Sequence, residues 1–373
     1  MVRGRLRRNA VALSMIGALL CCDFAFAGGS KHPSASSQAM WIANYPGENS
    51  FISELSSSQL QRSGIPRASL NTRQSNVGGL GKLAFDGSGN LWVPFCGTPS
   101  TVSNGLVAAF SPESLHQFAA GNRRVKPKAE LTGASFNCPI ALAFDYSGNL
   151  WIANAGTSSD NTPSIVQYPA ASLFEKTPAP AITLTLNTFQ GLRSLAFDTA
   201  GNLWVSVQNN QTDGVYQFTP SQLSTSGAPA AALILQSSSF YYPDDIVFDS
   251  ANNIWISYRA GNLSPSGLGG IQMFAAASLT GSGTIEPAAA VTIGGGPCSV
   301  LAICGPAALA FDQGGNLWVA QSYTISEFTP AQLATGNPSL AQVILATNLA
   351  NGKGIAGSNF AGPAFLTFGP ATK

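Results

Sequence analysis

The chain has 373 residues, of which 45% are hydrophobic and only 9% charged. Soluble proteins usually carry about 25% charged residues, so small polar residues and alanine must cover most of this surface. Its 18 basic and 17 acidic residues leave no basic excess of the kind a nucleic-acid binder needs, and the apolar content argues against a disordered tail.

Residues 1 to 27 have the form of a secretory leader. Arg3, Arg5, Arg7 and Arg8 precede an apolar run from Ala10 to Leu20, and Ala25-Phe26-Ala27 has the small-x-small form of a cleavage site. The run is too short to span a bilayer, so no membrane span is expected after cleavage, and the mature chain is expected to be secreted or periplasmic. Cleavage removes four Arg and one Asp, so 18 basic and 17 acidic residues become 14 and 16. It also removes Cys21 and Cys22, leaving Cys96, Cys138, Cys298 and Cys304, an even set suited to disulfides in an oxidising compartment. Residues 28 to 39, a polar Gly/Ser stretch, are expected to form a disordered linker ahead of a domain over residues 40 to 373.

The domain is written in one repeat. LAFDGSGNLWV runs from Leu83, LAFDYSGNLWI from Leu142, LAFDTAGNLWV from Leu195, IVFDSANNIWI from Ile246 and LAFDQGGNLWV from Leu309. Apolar alternation on either side of an Asp-x-x-Gly-Asn centre predicts two antiparallel strands joined by a tight turn, with Gly in the left-handed conformation and Asn252 replacing it in the fourth copy. The repeated Asp86, Asp145, Asp198, Asp249 and Asp312 are read as turn caps rather than as a catalytic set. After each Trp a third strand and a single helical turn are expected, for example GVYQFTPSQL from Gly214 and ISEFTPAQL from Ile325, and then a fourth strand.

A sixth copy is split between the chain ends. Trp41-Ile42-Ala43-Asn44 supplies a second half with no first half, and Pro363 to Gly369 aligns with Pro306 to Asp312. All six Trp of the protein, at 41, 92, 151, 204, 255 and 318, fall on one position of the repeat. Four antiparallel strands at a period of more than about 50 residues predict an all-β, six-bladed β-propeller of four-stranded blades, closed by pairing of the N- and C-terminal segments. The inner LAFD strands should line the axis with their small Ala residues where blades converge. Each Trp should fill the wedge between blades, its indole N–H satisfied by backbone.

LAFDxxGNLWV resembles the NHL-type repeat and the related six-bladed gluconolactonase group of calcium-dependent lactonases, and it is similar to the streptogramin lyases. The resemblance covers residues 40 to 373 and implies the fold more than the activity, because the shared letters are turn and core residues. The lactonase likeness implies calcium as cofactor and maps the metal-binding Asp of that group onto Asp244 in Pro243-Asp244-Asp245. Cys138-Pro139-Ile140 and Gly305-Pro306-Ala307 bring no acid or amide to the matching positions of other blades, and calcium wants six to eight oxygens. The lyase likeness implies a His acting with a Glu, but the only histidines are His32, in the linker, and His116, in a turn.

None of the familiar hydrolase, metalloprotease or nucleotide-binding motifs is present. Propeller ligands bind where inner strands begin and second strands end. Those positions carry Lys82, Arg193, Asp244 and Asp245 on one side of the hairpin, and Asn44, Asn154, Gln208, Arg259 and Gln321 on the other. Two readings stand open: a polar binding site, or a closing ring of salt bridges between Arg193, Arg259, Asp244 and Asp245. Phe95, Phe136, Tyr241 and Tyr242, with Phe240 and Tyr323, are read as core or loop packing more than as an aromatic rim. The functional expectation is a monomeric binding module for a protein, peptide or glycan, with no nucleic-acid partner. The alternative is a metal-dependent lactonase-type hydrolase, with a lyase behind it.

Overall fold

In the computed structural model, the residues described are 38–44, 51–61, 70–73, 79–97, 105–120, 122, 125–156, 162–186, 191–208, 213–238, 241–259, 269–294, 305–321, 324–336, 342–345 and 363–371. The leader, most of the linker, Cys298, Cys304, His32, Phe240 and Tyr323 lie outside them.

Six sheets follow the six copies of the repeat. Blade I holds β1 (Gln38–Asn44), β2 (Phe51–Ser56) and β3 (Leu70–Arg73), and blade II holds β4 (Ala84–Phe85), β5 (Leu91–Phe95), β6 (Leu106–Phe110) and β7 (Ala129–Leu131). Blade III is β8 (Pro139–Phe144), β9 (Leu150–Asn154), β10 (Ser164–Tyr168) and β11 (Ile182–Thr185). Blade IV is β12 (Leu192–Phe197), β13 (Leu203–Val207), β14 (Gly214–Phe218) and β15 (Leu233–Leu235). Blade V is β16 (Tyr241–Phe248), β17 (Ile254–Arg259), β18 (Gly270–Phe274) and, after a short β19 (Gly283–Ile285), β20 (Val291–Gly294). Blade VI is β21 (Ala308–Phe311), β22 (Leu317–Gln321), β23 (Thr324–Phe328) and β24 (Gln342–Leu345), and β25 (Pro363–Pro370) completes blade I. The first described strand, β1, begins at Gln38.

The ring closes as the split repeat requires. β25 pairs antiparallel with β1 from Gln38↔Pro370 to Asn44↔Pro363, so the last strand of the chain becomes the innermost strand of the first blade. The buried residues form six separate hydrophobic clusters, each filled from two successive blades, and the cluster of Ala308, Trp318, Met40, Ile42 and Leu366 joins blade VI to blade I. No single core exists; six wedges between sheets replace it.

The Trp residues organise those wedges. Each meets the Phe of the next blade's inner strand at ring-centroid distances of 5.7 to 6.3 Å, from Trp41–Phe85 round to Trp318–Phe368, a tilted or edge-on geometry favoured by the ring quadrupoles. The small Ala of LAFD also faces an indole. Ala84, Ala143, Ala196 and Ala310 are the cross-strand partners of Trp92, Trp151, Trp204 and Trp318, so each leaves room on the same face for an indole.

The acceptor of the indole N–H corrects a second expectation. It is the repeat Asp, not backbone: Trp92, Trp151, Trp204, Trp255 and Trp318 donate to Oδ2 of Asp86, Asp145, Asp198, Asp249 and Asp312 at 2.8 to 3.0 Å. The other oxygen accepts from backbone amides of the turn, as Asp198 Oδ1 does from Ala200 and Asn202 at 3.0 and 2.9 Å. Turn cap and wedge anchor are therefore one residue. Only in blade I is backbone used, with Trp41 donating to the Pro370 carbonyl at 3.2 Å. Gly369 stands there in place of Asp, and Phe85 packs so closely that a Cβ would overlap its ring.

All four partners of the Asp198 carboxylate are donors, including Asn202 Nδ2 at 2.7 Å, so an amide at this site sets an N–H against an N–H. Asp198→Asn is expected to cost about 2–3 kcal/mol in urea unfolding, the scale of a charged hydrogen bond lost with a donor left unpaired. A midpoint equal to wild type removes the anchor role.

The left-handed turn position behaves as expected: Gly89, Gly148, Gly201 and Gly315 have φ between 75° and 79°, and Asn252 takes 62°. The single helical turns are capped from the sequence, as where Gln222 and Gln332 accept from the Thr219 and Thr329 amides at 2.9 and 2.8 Å.

Two outer edges are covered by the following blade. β19 adds a parallel fifth strand to β15 of blade IV, and Gly227 bonds Thr183 and Thr185 of β11 at 3.0 and 2.8 Å. Both contacts occupy backbone groups that an exposed edge would offer to another chain. Cys96 and Cys138 form a disulfide that ties blade II to the start of blade III, with Cα atoms 4.0 Å apart. Among the described residues no helix is long and apolar enough to cross a membrane.

Candidate functional site at the mouth of the axis

Antiparallel hairpins put the start of each inner strand and the end of each second strand at one end of the propeller, opposite the Asp-x-x-Gly-Asn turns. The candidate residues therefore share one end, but the structure divides them into three groups.

Asn44 and Asn154 are buried; Asn44 bonds to β1 and β2 of its own blade, and Asn154 holds the segment before β8. Asn44 Nδ2 donates to Ser53 Oγ and the Ile42 carbonyl at 3.1 and 3.2 Å. Asn154 accepts from the Asn137 amide at 3.2 Å and donates to the Ser135 carbonyl and Ser164 Oγ at 3.0 and 3.2 Å. Gln321 is buried as well.

Lys82 and Asp245 form a plug across the axis. Lys82 belongs to blade II and Asp245 to blade V, half a ring apart, yet Nζ reaches Oδ1 at 2.7 Å. The ammonium also donates to Ser194 Oγ of blade IV at 2.9 Å and the Ile246 carbonyl at 3.0 Å, so its three protons are placed. Asp245 Oδ1 takes Ser194 Oγ at 2.6 Å, and Oδ2 takes the Leu309 amide of blade VI at 2.9 Å. Four blades meet on one ion pair whose charges are both buried. The three ammonium protons of Lys82 and both carboxylate oxygens of Asp245 are thus engaged within the protein.

The plug rests on serines that the sequence reading did not single out. Ser206 Oγ accepts from the Ser194 amide and donates to the Asp244 carbonyl, and Ser257 Oγ accepts from the Asp245 amide, at 2.8 to 2.9 Å. A signal did exist. The second residue after Trp is Ala43, Pro94, Ala153 and Ala320 in four copies but Ser206 and Ser257 in blades IV and V.

Arg193, Gln208, Asp244 and Arg259 form the third group, above the plug on blades IV and V. Arg259 holds Asp244 through Nε and Nη2, both 2.5 Å from Oδ2, while 49% of its side chain stays exposed. Arg193 Nε donates to Gln208 Oε1 at 2.9 Å, and Gln208 Nε2 donates to the Pro243 carbonyl at 3.2 Å. Of the two sequence readings, the salt-bridge ring is met only in part: Asp244 pairs with Arg259, whereas Asp245 turns inward to Lys82. Beside them, Tyr241 is the cross-strand partner of Arg259, and Tyr242 holds φ at 52° with its amide on Asp213 Oδ2 at 2.8 Å. A non-glycine residue held in that region costs energy and needs such support. Phe95 and Phe136 are core residues, not rim.

Burial raises the Asp244 pKa above the ordinary carboxylate value, more than Arg259 and Arg193 pull it down. Burial lowers the Arg193 pKa, with Asp244 acting to raise it and Arg259 to lower it further. A raised carboxyl pKa in the folded state means that the native protein holds a proton the unfolded chain has released, so stability falls as pH rises through that window. The stability of wild type relative to Asp244→Asn should therefore decline from about pH 4, the unfolded carboxylate value, upward through the raised pKa and then level off. A difference independent of pH in urea titrations contradicts this.

The arrangement does not fit calcium. Asp244 faces two guanidiniums, Asp245 is engaged by the plug, and among the described residues no three His, Cys, Asp or Glu side chains cluster as a metal site. A calcium ion needs several free oxygens on one side, and here cations already occupy that side.

The fold is that of a six-bladed β-propeller. No protein-family model matches the sequence, and a search of curated proteins finds no match. A solved protein of unknown function from Bacteroides caccae shares the architecture at 9% identity and a TM-score of 0.56, over 90% of this chain and 99% of that one. Virginiamycin B lyase from Staphylococcus aureus, solved as an inactive variant with quinupristin, gives 12% identity and a TM-score of 0.42 over 80% and 84% of the two chains. A gluconolactonase-like protein gives 11% and 0.40 over 79% and 90%. The likeness to the Bacteroides caccae protein speaks to the fold alone.

Proposed function

We propose that the protein is a secreted or periplasmic binding module that receives a protein, peptide or glycan ligand at the mouth formed by Arg193, Gln208, Asp244 and Arg259. The observation that carries this reading is the contrast between the axis and the mouth. On the axis the Lys82 and Asp245 charges are paired and buried, whereas at the mouth Arg193 lies in no ion pair among the described residues and Arg259 stands half exposed. With the axis plugged by Lys82 and Asp245, a ligand docks on the mouth without threading through. The Cys96–Cys138 bond suits the oxidising compartment that the leader implies, and the covered outer edges suit a monomer.

The test is an array of glycans and peptides probed with wild type and with an Arg193→Gln, Arg259→Gln variant, at a temperature where both stay folded. Retention by wild type and its loss in the variant is the expected result, and no retention on any feature overturns the reading. Calcium is titrated in the same series. A calcium heat given by wild type and absent in Asp244→Asn would replace the binding module with the metal-dependent hydrolase.

A further inference from the structure

We infer that the mouth is an anion subsite for the carboxylate of an acidic sugar, a uronic-acid residue of a saccharide; the inference rests on the binding-module reading and deepens it. The argument begins with charge. Lys82 and Asp245 cancel on the axis. Above them two guanidiniums, Arg193 and Arg259, share the single carboxylate of Asp244, and only Arg259 lies within ion-pair distance of it. Among the described residues, Asp213 on this side holds the Tyr242 amide and is not among the charges acting on Arg193. The group carries one positive charge more than it neutralises, in a setting where burial makes a cation costly.

Geometry selects the anion. The Nε of Arg193 is fixed by Gln208, itself fixed by the Pro243 carbonyl, so the guanidinium plane is held while its terminal nitrogens make no hydrogen bond among the described residues. A held guanidinium fork matches the two oxygens of a planar carboxylate. One excess charge calls for a monoanion.

The surroundings favour a sugar over a peptide. One common mode of peptide recognition is pairing with a free strand edge, and three inner-edge groups at this end are already engaged: the Ile246 carbonyl by Lys82 Nζ, the Leu309 amide by Asp245, and the Ile140 carbonyl by the Lys82 amide at 2.8 Å. Tyr241 emerges on the same face as Arg259 and supplies an apolar ring with a polar tip, the amphipathic character that a sugar face also has.

The experiment is calorimetric titration of the full chain with digalacturonate, with neutral galactobiose, and with triglycine as free acid and as amide. Wild type should bind digalacturonate at least about tenfold more tightly than galactobiose, a difference near 1.4 kcal/mol. Arg193→Gln should lose that preference while melting as wild type does, and Arg193→Lys, which keeps the charge without the fork, should recover only part of it. Equal binding of galactobiose, abolished in Arg193→Gln, overturns the carboxylate inference and leaves the mouth as the binding site. Preference for triglycine acid over its amide, without binding of digalacturonate, overturns the sugar in favour of a peptide terminus. No binding by any of the four overturns the inference, and the array then decides whether the binding-module reading falls with it.

Discussion

Asp245→Ala is expected to destabilise the domain by about 3–5 kcal/mol, because it leaves the Lys82 ammonium buried with no counter-charge. The loss reaches beyond the pair. Ser194 loses its acceptor, and the Leu309 amide of blade VI loses its only bond across the axis among those described. A charge-free replacement should behave differently: Lys82→Met with Asp245→Leu removes both desolvation penalties together and is expected to recover most of the stability, since buried ion pairs seldom exceed apolar packing in net worth. Guanidinium unfolding of the two single variants and the double variant gives the coupling energy directly. Additive single effects, with no recovery in the double, contradict a plug.

Trp151→Ala is expected to cost about 3–5 kcal/mol, the scale of an aromatic deleted from a filled core. The indole is 2% exposed, packs edge-on against Phe197 of the next blade and anchors to Asp145 at 2.9 Å. Its removal opens the wedge between blades III and IV and leaves one Asp145 lone pair without a donor. Because each wedge is a separate cluster, the loss stays local in origin but weakens a ring that cannot close without all six joints. A loss below about 1 kcal/mol in chemical unfolding would mean that neighbouring side chains collapse into the space, contrary to the close packing of protein interiors.

The fold was legible because the repeat states it six times. Trp41 without a preceding strand and Pro363 to Gly369 without a following one identify the closing pair, and β1 and β25 form it. The Trp anchor was legible too, though read differently: Asp and Trp stand six residues apart in every complete copy, and the copy with Gly369 in place of Asp is the one that turns to backbone. The site was legible as a position and not as an arrangement. Period and register place Lys82, Arg193, Asp244, Asp245 and Arg259 at one end, but they cannot say how far a lysine reaches. Lys82 and Asp245 are 163 residues apart, and which of the adjacent Asp244 and Asp245 faces inward depends on the bulge between Pro243 and Ile246 in β16. That irregularity breaks the two-residue alternation on which such reasoning rests.

The central claim is a division of labour between a plug that holds the blades and a mouth that binds. Its most direct test pairs two readings, melting temperature and digalacturonate affinity, on Asp245→Asn and Arg193→Gln. The expected outcome is a lowered melting temperature with affinity retained at a temperature where Asp245→Asn stays folded, and an unchanged melting temperature with affinity lost in Arg193→Gln. If both substitutions lower stability and affinity together, plug and mouth are one network and the division does not exist.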